Sequence, residues 1–76
     1  MRITDGQIKA LQEELYADLV DILVKKWNYT TEQALDTLYN SETFERIEDP
    51  STGLYYQSSG YVYSYLDDEL TKGTFE

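Results

Sequence analysis

Cysteine and histidine are both missing from this chain, proline occurs once, and basic residues number only six. Without cysteine no disulfide can form, and without either residue a zinc or haem site lacks its usual ligands. The same absences exclude nucleophilic catalysis by a cysteine or by a serine paired with a histidine. The four glycines, Gly6, Gly53, Gly60 and Gly73, stand isolated, so no glycine-rich phosphate loop exists. Long hydrophobic runs are missing too. The most apolar window, Leu15 to Val24, is broken by Asp18 and Asp21 and does not read as a membrane span. Met1 to Gly6 show no basic region followed by an apolar run, so no signal peptide is expected. With the lack of cysteine, this reads as a cytoplasmic protein that needs no cofactor and no metal.

What remains is short, acidic and rich in tyrosine. Seventy-six residues allow one small domain, residues 1–76, whose core is marginal without dense helix packing or self-association. Fifteen acids against six bases give a net charge of −9. Such a surface repels phosphates, which opposes direct binding to nucleic acid or an anionic membrane, and it suits a basic partner.

The spacing predicts an all-α domain of three to four helices. Thr4-Asp5-Gly6-Gln7 is a capping box, and Ile3 and Ile8 stand where a hydrophobic staple would. A long helix over 5–27 follows, about 35 Å in length against a domain diameter of about 30 Å. Its apolar residues form two rows, one through Ile8, Leu11, Leu15, Leu19 and Ile22, the other through Tyr16, Val20, Leu23 and Trp27. Shorter helices are expected to fold across one row and leave the other for a partner. Lys25 and Lys26 suit the helix C-terminus, and Asn28 is a left-handed stop.

Thr30-Thr31-Glu32-Gln33 is a second capping box and opens a helix over 31–39 with Ala34, Leu35, Leu38 and Tyr39 on its apolar face. Ser41 caps a third helix over 42–48, anchored by Phe44 and Ile47, and Asp49-Pro50-Ser51-Thr52-Gly53 is a turn.

Five of the eight tyrosines fall between Tyr55 and Tyr65. Val62, Tyr65, Leu66 and Leu70 follow helical spacing, Ser58 or Ser59 can cap, and Gly73 closes, which predicts a helix over 59–72 with fraying beyond. The alternative is an α+β fold in which Leu54–Gln57 and Tyr61–Leu66 pair as a hairpin. In the helical reading Tyr39, Tyr56, Tyr61 and Tyr65 pack on the first helix. In the alternative reading some of Tyr55, Tyr61 and Tyr63 lie outward instead, beside Trp27 or Tyr29, as partner-binding residues. Tyr63 is the ring expected to miss the core, because it points away from the face shared by Tyr61 and Tyr65.

Acids cluster at Glu48-Asp49 and Asp67-Asp68-Glu69 but lack the alternating ligands of a calcium loop. Three consecutive acids on a helix diverge by about 100° each and cannot meet on one ion. The row Glu14, Asp18 and Asp21 reads as a solvated helix face, and alternatively as a mimic of nucleic-acid phosphates towards a basic protein. A carboxylate pair could in principle cleave a glycosidic bond, but short helices that barely fill their own core leave little room for a cleft. No enzymatic activity is expected.

Across 34–70, the run Ala34 to Tyr39, then Leu54-Tyr55 with Ser58, then Tyr61-Val62 and Leu66 to Leu70 resembles small uncharacterised bacterial helical proteins. Some of these are encoded beside toxin–antitoxin genes. This chain has Leu54-Tyr55 near the place where those proteins have a Leu-His pair. The resemblance implies an accessory or regulatory interaction role and transfers no catalytic residue. The expectation is a non-enzymatic interaction module that binds a protein or itself, as a homodimer through the first helix, using Trp27, Tyr29, Tyr55, Tyr61 and Tyr63.

Overall fold

Reciprocal side-chain caps start the first two helices. In the computed structural model, which describes residues 4–72, Thr4 Oγ1 accepts from Gln7 N at 3.1 Å while Gln7 Oε1 accepts from Thr4 N at 2.8 Å. This opens α1, Asp5–Lys26. The pair Thr30 and Gln33 repeats the arrangement at 3.1 and 2.9 Å and opens α2, Thr31–Tyr39. Each box satisfies two backbone N–H groups that the helix start would otherwise leave without partners. Between the helices Asn28 takes φ 57°, the left-handed stop expected of it. Ile3 of the staple, Gly73 and residues 74–76 lie outside the described residues.

Ser41 ends one helix and begins the next. Its hydroxyl donates to Leu38 O at 2.6 Å and accepts from Phe44 N at 3.0 Å, opening α3, Glu42–Glu48. The chain then makes two 3₁₀ turns, Pro50–Thr52 and Leu54–Tyr56, joined at Gly53, whose φ of 71° suits a residue without a side chain. Ser58 accepts from Tyr61 N at 3.3 Å as α4, Ser59–Lys72, begins. No strand forms among the described residues, and Leu54–Tyr56, offered above as half of a hairpin, is a helical turn instead. The all-α architecture with a long first helix is the observed one.

The 22 residues of α1 extend about 33 Å, close to the longest dimension of 39 Å. The core runs along the seam between its two apolar rows. Leu15, Leu19 and Leu23 are buried, and Ala34, Leu38, Ile47, Leu54, Tyr55, Val62, Tyr63 and Leu66 close over them. Leu23 belongs to the second row, so neither row is left whole for a partner. The cause is geometric: the 3₁₀ turn Leu54–Tyr56 and α4 press on one flank of α1, α2 presses on the other, and the line between those flanks is the one fully covered. Half-buried Leu11 and Ile22 border it on one side, Tyr16, Val20 and Val24 on the other. No helix among the described residues is long and apolar enough to cross a membrane.

Candidate functional site

Of the five residues expected to meet a partner, Trp27, Tyr29 and Tyr63 gather at the C-terminal end of α1. Trp27 Nε1 donates to Tyr63 Oη at 2.9 Å, and Tyr63 Oη donates to Asp67 Oδ1 at 3.2 Å. The Tyr29 ring stands 5.9 Å from that of Trp27, and Lys26 Nζ lies 5.5 Å from the centre of the Tyr63 ring. Burial pushes the Tyr63 phenol above its usual pKa; the indole N–H works against this, and Asp67 adds to it. This cluster is an internal joint between α1 and α4, with Trp27 and Tyr29 half-buried.

Exposure reverses most of the expected division of the tyrosines. Tyr63 and Tyr55, offered as outward, are 8% and 9% exposed, whereas Tyr39 and Tyr56, offered as packing, are 54% and 64% exposed; Tyr61, which the two readings placed differently, is 48% exposed. On α4 the aliphatic residues decide the matter. Leu66 and Leu70 stand about 40° and 80° round the helix from Val62, and Tyr63 about 100°, only some 20° beyond Leu70. Tyr65 lies on the far side of Val62 and is half-buried, its hydroxyl sharing a 2.8 Å hydrogen bond with that of Tyr61. Tyr61 is thus the one member of the expected set that is exposed.

The acids divide into structural and surface groups. Asp67, Asp68 and Glu69 diverge as consecutive helical residues must. Asp67 accepts from Tyr63, Asp68 pairs with Lys72 at 3.8 Å, and Glu69 caps α3 by accepting from Glu42 N at 2.7 Å and Thr43 N at 3.0 Å. Glu48 accepts a short hydrogen bond from the Tyr16 hydroxyl. Asp49 accepts from Ser51 N and Oγ at 3.0 and 2.8 Å, contacts that hold its carboxyl below the usual range. Glu14, Asp18 and Asp21 remain exposed on α1, Asp21 paired with Lys25 at 3.0 Å.

A partly apolar groove lies elsewhere, between α1 and α2. This groove, of about 540 Å³, is lined by Ala17, Val20, Val24 and Leu35, with Tyr16 and Tyr39 at one end. Ala17 is exposed, and Val20, Val24 and Leu35 are half-buried. Past Tyr16 and Tyr39 it continues into a depression of about 430 Å³ beside Lys9, Phe44 and Glu48. The rings here form a cluster: Phe44 stands 4.9 Å from Tyr16 and 5.0 Å from Tyr39. Burial, followed by the hydrogen bond to Glu48 and its charge, pushes the Tyr16 phenol well above the usual tyrosine range. Gln12 Nε2 donates to Ile47 O at 2.9 Å, so α1 is tied to α3 at the same end.

Sequence reasoning missed this groove as a site, although its signal was present. Tyr16, Val20 and Val24 recur every fourth residue on α1, and Leu35 and Tyr39 do so on α2. Two four-spaced rows on neighbouring helices are the pattern of a helix–helix seam. Here the seam closes on the core side and opens towards solvent.

The chain matches no family model, no curated protein and no solved structure.

Proposed function

We propose that this protein is a non-enzymatic interaction module that receives a partner in the groove between α1 and α2. The observation that supports this reading is the groove itself: Ala17, Val20, Val24, Leu35 and Tyr39 present an apolar strip that the fold covers only in part. Aromatic residues at the end of such a strip are common anchors of protein interfaces. Tyr61, from the set read in the sequence, lies on α4 and is not a groove residue. A role beside a toxin–antitoxin locus in the bacterial cytoplasm rests on the resemblance across 34–70 and stands as part of this proposal.

Two competing readings make different predictions. Self-association through α1 would use the row Tyr16, Val20 and Val24, and would bring a charge of −9 against its equal. Phosphate mimicry would use Glu14, Asp18 and Asp21, and its binding would weaken steeply with salt, whereas an apolar groove contact would change little.

The test is selection from a random-peptide display library on the protein, followed by re-screening on two variants. Ala17→Lys places a long, helix-compatible side chain on the groove lining. Asp18→Asn makes the same change in charge outside the groove. Enriched peptides should lose binding to Ala17→Lys and keep it to Asp18→Asn. Recovery of no peptide, or of peptides indifferent to Ala17→Lys, overturns the reading.

A further inference from the structure

We infer that the occupant of the α1/α2 groove is a basic amphipathic helix of about 9–11 residues from a partner protein, its apolar edge laid on Val20, Val24 and Leu35. This rests on the groove being the interaction site and adds the chemistry of what fills it.

Shape supports a helix. From Glu13 to Val24 the α1 wall runs about 16 Å, and the nine residues of α2 run about 14 Å. Both walls are helical, so the groove between them complements a straight ridge two to three turns long, which side chains at i, i+3 or i+4, and i+7 provide. Ala17 has only a methyl group and leaves space for a knob from such a ridge. No strand edge exists among the described residues, so addition of an extended peptide through main-chain pairing has no template.

Charge selects the sign. Glu13 and Asp21 line the groove itself, Glu48 lies at its aromatic end, and Glu32 and Asp36 lie on the outer side of α2, around a depression that shares Thr31 with it. Asp21 and Lys25 engage each other at 3.0 Å, which leaves four of these acids against one lining base, Lys9. Lysine or arginine on the flanks of an incoming helix would meet carboxylates along both walls. An acidic helix, or a second copy of this chain, would meet like charge on both.

The experiment is calorimetric titration of the whole protein with four synthetic peptides. The first is an amphipathic leucine/lysine helix with leucine at i, i+3, i+4 and i+7. The second replaces its lysines with glutamates, the third scrambles the order, and the fourth places proline at its centre. The leucine/lysine peptide should bind, and each of the others should bind at least about tenfold more weakly. Ala17→Lys should weaken binding of the first peptide at least about tenfold, and Asp18→Asn should change it less than about twofold.

Equal binding of the scrambled or proline peptide shows that the occupant need not be a helix and overturns the inference. Equal or stronger binding of the glutamate peptide overturns its basic character. So does failure of the leucine/lysine peptide to bind, or equal losses in the two protein variants. A dimer in sedimentation equilibrium that Ala17→Lys dissociates assigns the groove to a second copy and also overturns it. In the display selection, acidic or non-helical peptides that are still lost with Ala17→Lys would sink this inference and leave the interaction site intact.

Discussion

Trp27 donates its indole N–H to the hydroxyl of Tyr63 across 2.9 Å, and this contact joins the end of α1 to the face of α4. It gives a buried phenol and a half-buried indole their polar partners at once, as large amphipathic rings require. The hydroxyl passes its own proton towards Asp67, so one group acts as acceptor and donor in a short chain between two helices.

Tyr63→Phe should therefore lower stability by about 1–2 kcal/mol, since the Trp27 N–H and Asp67 both lose a partner while the ring keeps its packing. Tyr63→Ala should cost about 3 kcal/mol or more through the cavity it leaves. Urea denaturation followed by Trp27 fluorescence measures both. A Tyr63→Phe variant as stable as the wild type would mean that the bond contributes nothing net.

Glu69 should matter more than its place in an acidic run indicates. Its carboxylate accepts from two backbone N–H groups at the start of α3 and from Thr43 Oγ1 at 2.9 Å. Glu69→Ala is expected to lower stability by about 1–2 kcal/mol, through loss of charge-assisted bonds at a helix N-terminus. Asp68→Ala, which removes only an exposed pair with Lys72, should change it by less than about 0.5 kcal/mol. Equal effects from the two variants would contradict the cap.

Row identity on α1 can be read from a pair of truncations. Leu19 is fully buried and Val20, its neighbour in the chain, lines the groove. Leu19→Ala should cost about 3–4 kcal/mol, a large share of the stability of so small a domain, while Val20→Ala should cost about 1 kcal/mol or less. Circular dichroism during thermal melting separates them. Val20→Ala should also weaken occupation of the groove without loss of helix.

Alkaline pH should destabilise the fold through two phenols, that of half-buried Tyr16 and that of buried Tyr63. Tyr16 and Tyr63 have folded pKa values raised above the ordinary 10.0, by burial first in each case. Above pH 10 the unfolded chain releases these protons while the folded chain still holds them. The stability attached to the protonated phenols is thus complete below that pH and falls as pH rises towards the folded values. Denaturation midpoints should decline from about pH 10 upward, and Tyr16→Phe should make the decline shallower. Absorbance titration of phenolate in the native protein should show tyrosines that ionise late; simultaneous ionisation of all eight tyrosines near pH 10 would contradict the assignment. At the acid end Asp49 acts in the opposite sense, since its lowered pKa gives stability that is lost as pH falls through the folded value.

The helices were legible because what starts and stops them is local. Thr4 with Gln7, Thr30 with Gln33, Ser41 with Phe44 and the left-handed Asn28 act within a few residues of themselves, so spacing along the chain suffices to find them. The divergence of Asp67, Asp68 and Glu69 was likewise readable, being a property of any helix. Their partners were not. Glu69 meets α3 across 26 residues, and Tyr16 meets Glu48 across 32, distances over which periodicity carries no information.

Burial of the tyrosines depended on the same long-range choices. A helical repeat says which residues share a face, but neighbouring helices choose the centre of the face that is covered. Docking of α4 turned that centre towards Leu70, bringing Tyr63 to Trp27 and leaving Tyr61 outside. The placement of α2 left Val20 and Val24 only half-covered, although either row of α1 is equally able to pack. Composition, caps and periodicity established an acidic, all-helical chain with a long first helix, because these act through charge and neighbours in sequence. Packing in three dimensions selected the core rings and opened the groove, because two apolar rows on one helix are energetically alike until other helices cover part of each.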